Sequence, residues 1–437
     1  MKRPNILYIH SHDTGRYIQP YGYAVPTPHI QRLAEEGVLF RQAYSASPTC
    51  SPSRASLLTG QYPHNNGMLG LAHRGFSLYD YEHHVVHTLR KAGYVTALAG
   101  VQHIADSFDT PWKQIGYDMK LGDEVDGEPG PHIPANQAHV AAADFLDHDP
   151  PQPFFLSVGF VETHRDFPPL PPDAQPGYTA PPPPLPDFPE IREDAARFKR
   201  SAGDLDAKMG AVFDALRRNG LMENTLIICT TDHGTPFPWN KCFLTGSGLG
   251  VMLILHGPGG FSGGKVFDSL ISQVDIFPTL CELLDIPTPD WLQGVSFLPL
   301  LRGETDEIRE QVFGEVNYHA AYEPMRSVRT RRWSYIRRFD PRPHPILPNT
   351  DNSPGKRILI EHGWEAMPQS EEYLYDLVFD PYEVNNLAGE AGMQAVLADM
   401  RARLHEWMEG TGDPLLKGQI RLPENAWTDS PDAKSAT

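Results

Sequence analysis

Apolar and polar positions along the chain fall into two alternating patterns. Asn5 to His10 is a continuous β-prone run that breaks into polar SHDTG, as a buried parallel strand does at its carboxyl end. TPHIQRLAEEG then begins a helix, with Thr27 as N-cap, Pro28 in the first turn and Gly37 beyond the end. VLFRQAYS predicts a strand. HHVVHTLRKAGYVTALAG repeats helix then strand, and NQAHVAAADFL followed by PFFLSVGFVETH repeats it again. AARFKRSAGDLDAKMGAVFDALRRNG predicts a long helix feeding TLIICTTDHG, the clearest central strand. This alternation predicts an α/β fold whose large, mostly parallel central sheet is sandwiched by helices.

Pro168 to Pro189 is so rich in proline that it predicts an irregular surface excursion. After about residue 330 the character changes: RSVRTRRWSYIRRF reads as short strands and EAGMQAVLADMRARLHEWM as one amphipathic helix. The expected division is an α/β domain over 1–330 and a small α+β subdomain over 331–437.

Composition narrows the function. Of 437 residues 40% are apolar, enough for a large core. A net charge of −18 argues against nucleic acid as a partner, while leaving room for a small anion in a locally positive pocket. The opening apolar run is too short for a signal peptide or a membrane span, so no membrane partner is expected. Cys50, Cys229, Cys242 and Cys281 show neither CxxC spacing nor a disulfide framework. A cytoplasmic protein is the expectation, and assembly into a homo-oligomer is compatible with it.

Ligands of open α/β sheets gather at the carboxyl ends of the strands. SHD (11–13), QH (102–103), ETHRD (162–166) and TDHG (231–234) all fall at such ends. Four strand ends carrying His or Asp point to a metal site.

PTCSPSRASLLTG (48–60) carries helix signals from Pro52 to Gly60, which puts Cys50 at a helix N-terminus, a setting that favours an anion. Arg54, one turn on, can point back to the same spot. Residue type alone leaves three readings: part of an anion site at the helix N-terminus, a buried structural cysteine, or a thiolate nucleophile.

Cys50-Ser51-Pro52-Ser53-Arg54, with Leu58-Thr59-Gly60 behind it, resembles the signature of the type I sulfatases of the alkaline phosphatase superfamily. The resemblance implies that a maturation system oxidises Cys50 to formylglycine, whose hydrated aldehyde is the nucleophile. It further implies that Pro52 and Arg54 serve maturation and that Arg54 later steadies the nucleophile. PNILYIHSHD and TTDHG look like the family's two metal strands, and LYDLVFDPYEVNNLA like its C-terminal signature. CSPSRASLLTG, HNNGMLGL, DHGTPFP and EPMRSV are similar to the heparan N-sulfatase (N-sulfoglucosamine sulfohydrolase) branch.

By position, the resemblance puts His12, Asp13, Asp232 and His233 on one divalent metal, His103 and His164 at leaving-group protonation and collapse of the covalent intermediate, and Lys241 on the sulfate. Two departures stand out. His12 replaces an expected carboxylate, and two imidazoles suit Mn²⁺ better than Ca²⁺, the family default. Val101 stands where the family usually has a lysine, with Arg165 as a candidate substitute.

The expected function is hydrolysis of a small sulfate ester or sulfamate, on a small anionic substrate such as an N-sulfated sugar. The alternative is hydrolysis of phosphonate monoesters or phosphodiesters by the same nucleophile. A remoter one is a non-catalytic module that binds sulfated glycans, supported by Val101 and opposed by the intact Cys50 motif. RSVRTRRWSYIRR (326–338) could dock an acidic glycan, but it reads more simply as a solvated strand pair.

Overall fold

A strand buried on both sides must divide its side chains between two cores. In β1 (Asn5–Ser11), Ile6 and Tyr8 join one apolar cluster while Leu7 and Ile9 join another across the sheet. The same division runs through β2 (Val38–Tyr44), where Val38 and Phe40 oppose Leu39. The computed structural model describes residues 3–105, 111–122, 124–125, 128–129 and 137–437, so Asn136 of the expected NQAHVAAADFL helix lies outside the described residues.

β3 (Val95–Gly100) and β4 (Met119–Leu121) extend the main sheet, and β5 (Glu124–Val125) and β6 (Glu128–Pro129) pair only with each other. β7 (Phe154–Gly159), β8 (Thr225–Thr231), β9 (Leu253–His256) and β10 (Lys265–Ser272) complete it. Among the described residues the order is β10-β2-β9-β8-β1-β7-β3-β4. Every pairing is parallel except those of β9, so the sheet is mostly parallel as expected.

Helices cover both faces. Pro28–Glu36, Ala138–Asp147 and Pro189–Arg218 pack on the Leu7–Ile9 side, whereas Cys50–Thr59 and Ile276–Leu284 pack on the other. The first of these starts at Thr27, but the Asp206 carboxylate accepts from the His29 and Ile30 N–H groups (3.1 and 2.8 Å), so the long helix caps the short one. Residues 168–188 form the proline-rich excursion, with no strand and a single short turn of helix.

A second sheet is antiparallel: β11 (Val312–Tyr318), β12 (Tyr322–Arg329), β13 (Trp333–Arg338) and β14 (Glu372–Asp376), covered by the Gln394–Thr411 helix. The boundary expected after residue 330 cuts this sheet between its second and third strands. The compositional shift marks the arginines, but hydrogen bonding begins a hairpin earlier.

Those arginines also depart from the expected solvated pair. The sheet is covered on both faces: alternation buries Arg326 on the face toward the Gln394–Thr411 helix and Arg329 and Arg338 on the other, while Arg331, Arg332 and Arg337 stay outside. Arg326 donates to Asp413 (2.5 and 3.0 Å), and Arg329 pairs with Glu383 at 2.9 Å. Glu315 of β11 accepts from the His64 backbone N–H (2.9 Å) and pairs with that ring.

Removing one partner of a buried ion pair leaves an uncompensated charge. Arg326→Leu is therefore expected to cost about 3–5 kcal/mol in urea unfolding. Burial opposes the charge on Glu315, but His64 and Arg326 outweigh it and hold its carboxyl down at about 2, against an ordinary 4.5. The stability it contributes is present above pH 4.5 and lost as pH falls toward 2. Glu315→Gln should flatten the pH dependence of unfolding across that window; an unchanged slope would remove Glu315 from this role.

Candidate active site

β8, β1, β7 and β3 are neighbours and parallel, so their carboxyl ends open on one edge. Ser11 pairs with Thr231 and His10 with Gly159, which sets His12-Asp13 beside Asp232-His233 and next to the loop carrying His164. The loops turn sharply here. Asp13 (φ 49), His103 (φ 58), Thr163 (φ 71), Trp239 (φ 63) and Cys242 (φ 68) are non-glycine residues in the left-handed region.

Cys50 opens its helix, which ends at Gly60, where φ is 68. All ten residues of that helix are buried, Arg54 included. The Cys50 Sγ lies 3.4 Å from His233 Nε2 and 4.0 Å from Asp13 Oδ1. Burial pushes the thiol well above its ordinary range, Lys241 pulls it back, and Asp13 and Asp232 add to the rise. The thiolate reading therefore gives way: unmodified Cys50 is a protonated thiol at neutral pH. Arg54 reaches the site one step away, donating to Asp232 Oδ2 (3.0 Å) and Ser11 O (2.8 Å) and touching His10 Nδ1.

Asp232 Oδ1 accepts the N–H of Asp13 (2.8 Å) and of His233 (2.9 Å). Burial opposes its charge, yet His233 and Arg54 hold its carboxyl well below the usual range. His12 Nδ1 lies 3.3 Å from Asp232 Oδ2 without hydrogen-bond geometry. Burial and the Arg54 charge push the His12 ring down to about 4, so it is a neutral nitrogen donor at pH 7. Donor atoms of His12, Asp13, Asp232 and Cys50 all lie within 4.8 Å of one another, a set that fits one divalent cation. His233 stands outside that group. Its Nδ1 donates to Gly234 O (3.0 Å), and its Nε2 lies 3.2 Å from Asp13 Oδ1.

His103 and His164 flank His12, with ring centroids 5.4 and 5.5 Å from it, and donor atoms of His12, Cys50 and His103 also lie within 4.8 Å of one another. His103 Nε2 meets His73 Nδ1 at 3.3 Å, and burial, His12 and Arg54 hold the His103 ring well below 6.5. His164 Nδ1 donates to Arg165 O (2.6 Å), which leaves Nε2 to face the site. Lys241 Nζ donates to Asp13 Oδ2 (3.0 Å) and Asp351 Oδ2 (3.1 Å). Burial alone would discharge that ammonium, but the two carboxylates raise it well above its ordinary value. Arg165 does not replace the lysine missing at Val101: Asp194 holds its guanidinium (2.9 and 2.6 Å) between Phe167 and Phe237.

Two neighbours escaped the sequence reading. Asp351 supplies the second carboxylate on Lys241, and His319, buried just past β11, feels Lys241 and Asp351. Neither sits at a strand end of the main sheet, so only HA in YHAAYEP and the lone Asp in NTDNS could have marked them.

A model of the sulfatase family matches residues 4–286, well over half of the chain. The chain belongs to the sulfatase family. A second model, the C-terminal part of N-sulphoglucosamine sulphohydrolase, matches residues 233–347. The human N-sulphoglucosamine sulphohydrolase is 30% identical, over 90% of this chain and 87% of that protein. An ulvan-active sulfatase of Formosa agariphila is 27% identical, over 98% of this chain and 78% of that one. A solved structure in complex with its substrate D-glucosamine-2-N,6-O-disulfate shares the fold, with a TM-score of 0.72 at 19% identity over 94% of this chain and 99% of that one. Sulfatases are metal-dependent and carry a formylglycine made from cysteine, and this sulfatase has a free cysteine at 50 within a metal-competent cluster.

Lys241 keeps a donor for a bound anion, since an ammonium has three and two are taken. Lys241→Met is expected to lower kcat/KM on a sulfate ester about a hundredfold or more. Asp351→Asn keeps the ammonium and should cost less in the same steady-state assay. Equal losses would assign the effect to the pair rather than to its positive charge.

Proposed function

We propose that this sulfatase hydrolyses the sulfate ester or sulfamate of a small sulfated sugar, with N-sulfated glucosamine as the model substrate. The observation that carries the reading is Cys50 at a buried helix N-terminus within reach of Asp13 and His233, flanked by Lys241. The similarity of residues 233–347 to the C-terminal part of N-sulphoglucosamine sulphohydrolase supports the choice of sugar.

Oxidised to formylglycine, Cys50 supplies a hydrated aldehyde whose hydroxyl attacks sulfur. Cys50 is only 2% exposed, so the maturation system must reach it before the chain closes over it. His12, Asp13 and Asp232, with His233 beside them, would hold a divalent cation that neutralises charge on the sulfate. A nitrogen donor among the oxygens favours Mn²⁺ over Ca²⁺. Lys241 orients the anion, and Arg54 holds Asp232 in its charged form. His164, its Nδ1 fixed on Arg165 O, presents Nε2 as the atom that hands a proton to the leaving oxygen or nitrogen. His103 sits next to His12 and assists at the nucleophile.

Cys50→Ala should leave less than about one part in a thousand of the activity. Peptide mass spectrometry of protein from a host with the maturation system should find the aldehyde at residue 50. A substrate panel of aryl sulfate, glucosamine N-sulfate and a phosphodiester is the wider test: turnover of the phosphodiester alone would overturn the reading. Elemental analysis of protein never exposed to chelator should find about one Mn²⁺, and stoichiometric calcium would overturn the metal assignment.

Leaving-group dependence tests the proton donor. His164→Ala should lose about a hundredfold or more on poor leaving groups and much less on a nitrophenyl ester, which needs little protonation. Uniform loss across the series would make His164 a positioning residue.

A further inference from the structure

Behind the segments that carry Lys241 and Asp351 lies a cavity of about 500 Å³, walled by the inner face of the small sheet. Lys241 faces Asp13 and Asp351, whereas Trp239 and Asn349, two residues from Lys241 and Asp351 respectively, line this second space. None of Cys50, His12, Asp13 and Asp232 lines it.

Its walls are aromatic. Trp239 and Trp364 meet edge to face at 6.0 Å, and Tyr373 stacks on Tyr375 at 6.2 Å. Tyr382, 47% exposed, stands at the rim. The floor is polar. Arg338 is 4% exposed, and only its Nη1 has an acceptor, Arg342 O at 3.2 Å. Its Nε and Nη2 have no partner among the described residues. A buried guanidinium with unmet donors is destabilising, so the cavity suits a ligand that brings acceptors. Glu323 adds an acceptor of its own, taking a hydrogen bond from Asn349 Nδ2 (2.8 Å).

Three ligand chemistries can be compared. A purely apolar ring would leave Arg338 unmet. A multiply charged anion would meet Glu323 and Glu383, which both line the space. A sugar ring satisfies every wall: its C–H faces lie on aromatic rings, one hydroxyl accepts from Arg338, and a neighbouring hydroxyl donates to Glu323. Burial pushes the Glu323 carboxyl up to about 7, against the pull of Asn349 and Arg338, so it also tolerates an uncharged partner.

We propose that this cavity is a saccharide-binding site, distinct from the sulfate-cleaving site, that takes an uncharged hydroxylated ring. The inference stands on the cavity and does not depend on the reaction assigned to Cys50. Titration calorimetry and saturation-transfer NMR with cellobiose, lactose and N-acetylglucosamine test it, with benzoate and inorganic sulfate as controls. Wild type and Cys50→Ala should bind at least one of the sugars equally well. Arg338→Met should weaken that binding about tenfold or more, the worth of a charge-assisted hydrogen bond. Tyr382→Ala, at the exposed rim, should weaken it too and decides the matter if Arg338→Met fails to fold. The proposal is overturned if no sugar binds at tens of millimolar, if only benzoate or sulfate binds, or if sugar binding survives either folded variant unchanged.

Discussion

Two carboxylates, Asp13 and Asp232, are buried side by side at the ends of adjacent strands, and the architecture of the site follows from keeping them charged. Like charges in a medium of low dielectric repel strongly, and each has lost its hydration. Compensation comes from opposite directions: Arg54 on Asp232 and Lys241 on Asp13, each at 3.0 Å. Backbone N–H groups on Asp232 complete it. Arg54 can reach Asp232 only because its helix lies wholly buried against the sheet. The same burial places Cys50 against the carboxylates rather than at the surface.

Lys241 couples this centre to the second sheet. Its other carboxylate, Asp351, and the nearby His319 come from connections around that sheet, so the smaller unit contributes to the electrostatics of the site. The buried Arg326–Asp413 and Arg329–Glu383 pairs anchor the sheet, and its inner face closes the aromatic cavity. The positive complement for an anion is lean. Val101 offers no charge and Arg165 is spent on Asp194, which leaves the buried Lys241 ammonium beside Asp13.

Fold class was legible in the chain because strands buried on both faces and amphipathic helices carry different periods. The strand ends carrying SHD, QH, ETHRD and TDHG were legible for a related reason: a parallel sheet delivers all its carboxyl ends to one edge. Those ends grouped His12, Asp13, His103, His164, Asp232 and His233, and the resemblance of the Cys50 motif to the type I sulfatases added Cys50, Arg54 and Lys241 to them. Local signals around Cys50 determined its helix, from Pro52 to the left-handed Gly60.

Tertiary structure alone decided what each member of that set touches. The direction of the Cys50 pKa depends on burial, which no local pattern encodes. Arg165 looked like a free cation until Asp194, 29 residues on, closed over it. His233 reaches Asp13 and Cys50 through Nε2 at 3.2 and 3.4 Å, distances that no residue pattern encodes. The burial of Arg326, Arg329 and Arg338 depends on partners at 413 and 383 and on the cavity wall. The chain by itself determined the elements and the chemistry at their ends, since periodicity and turn residues act locally. Which charges are paired, and which of two faces a strand residue serves, belongs to contacts between segments tens to hundreds of residues apart, and these exist only in the folded protein.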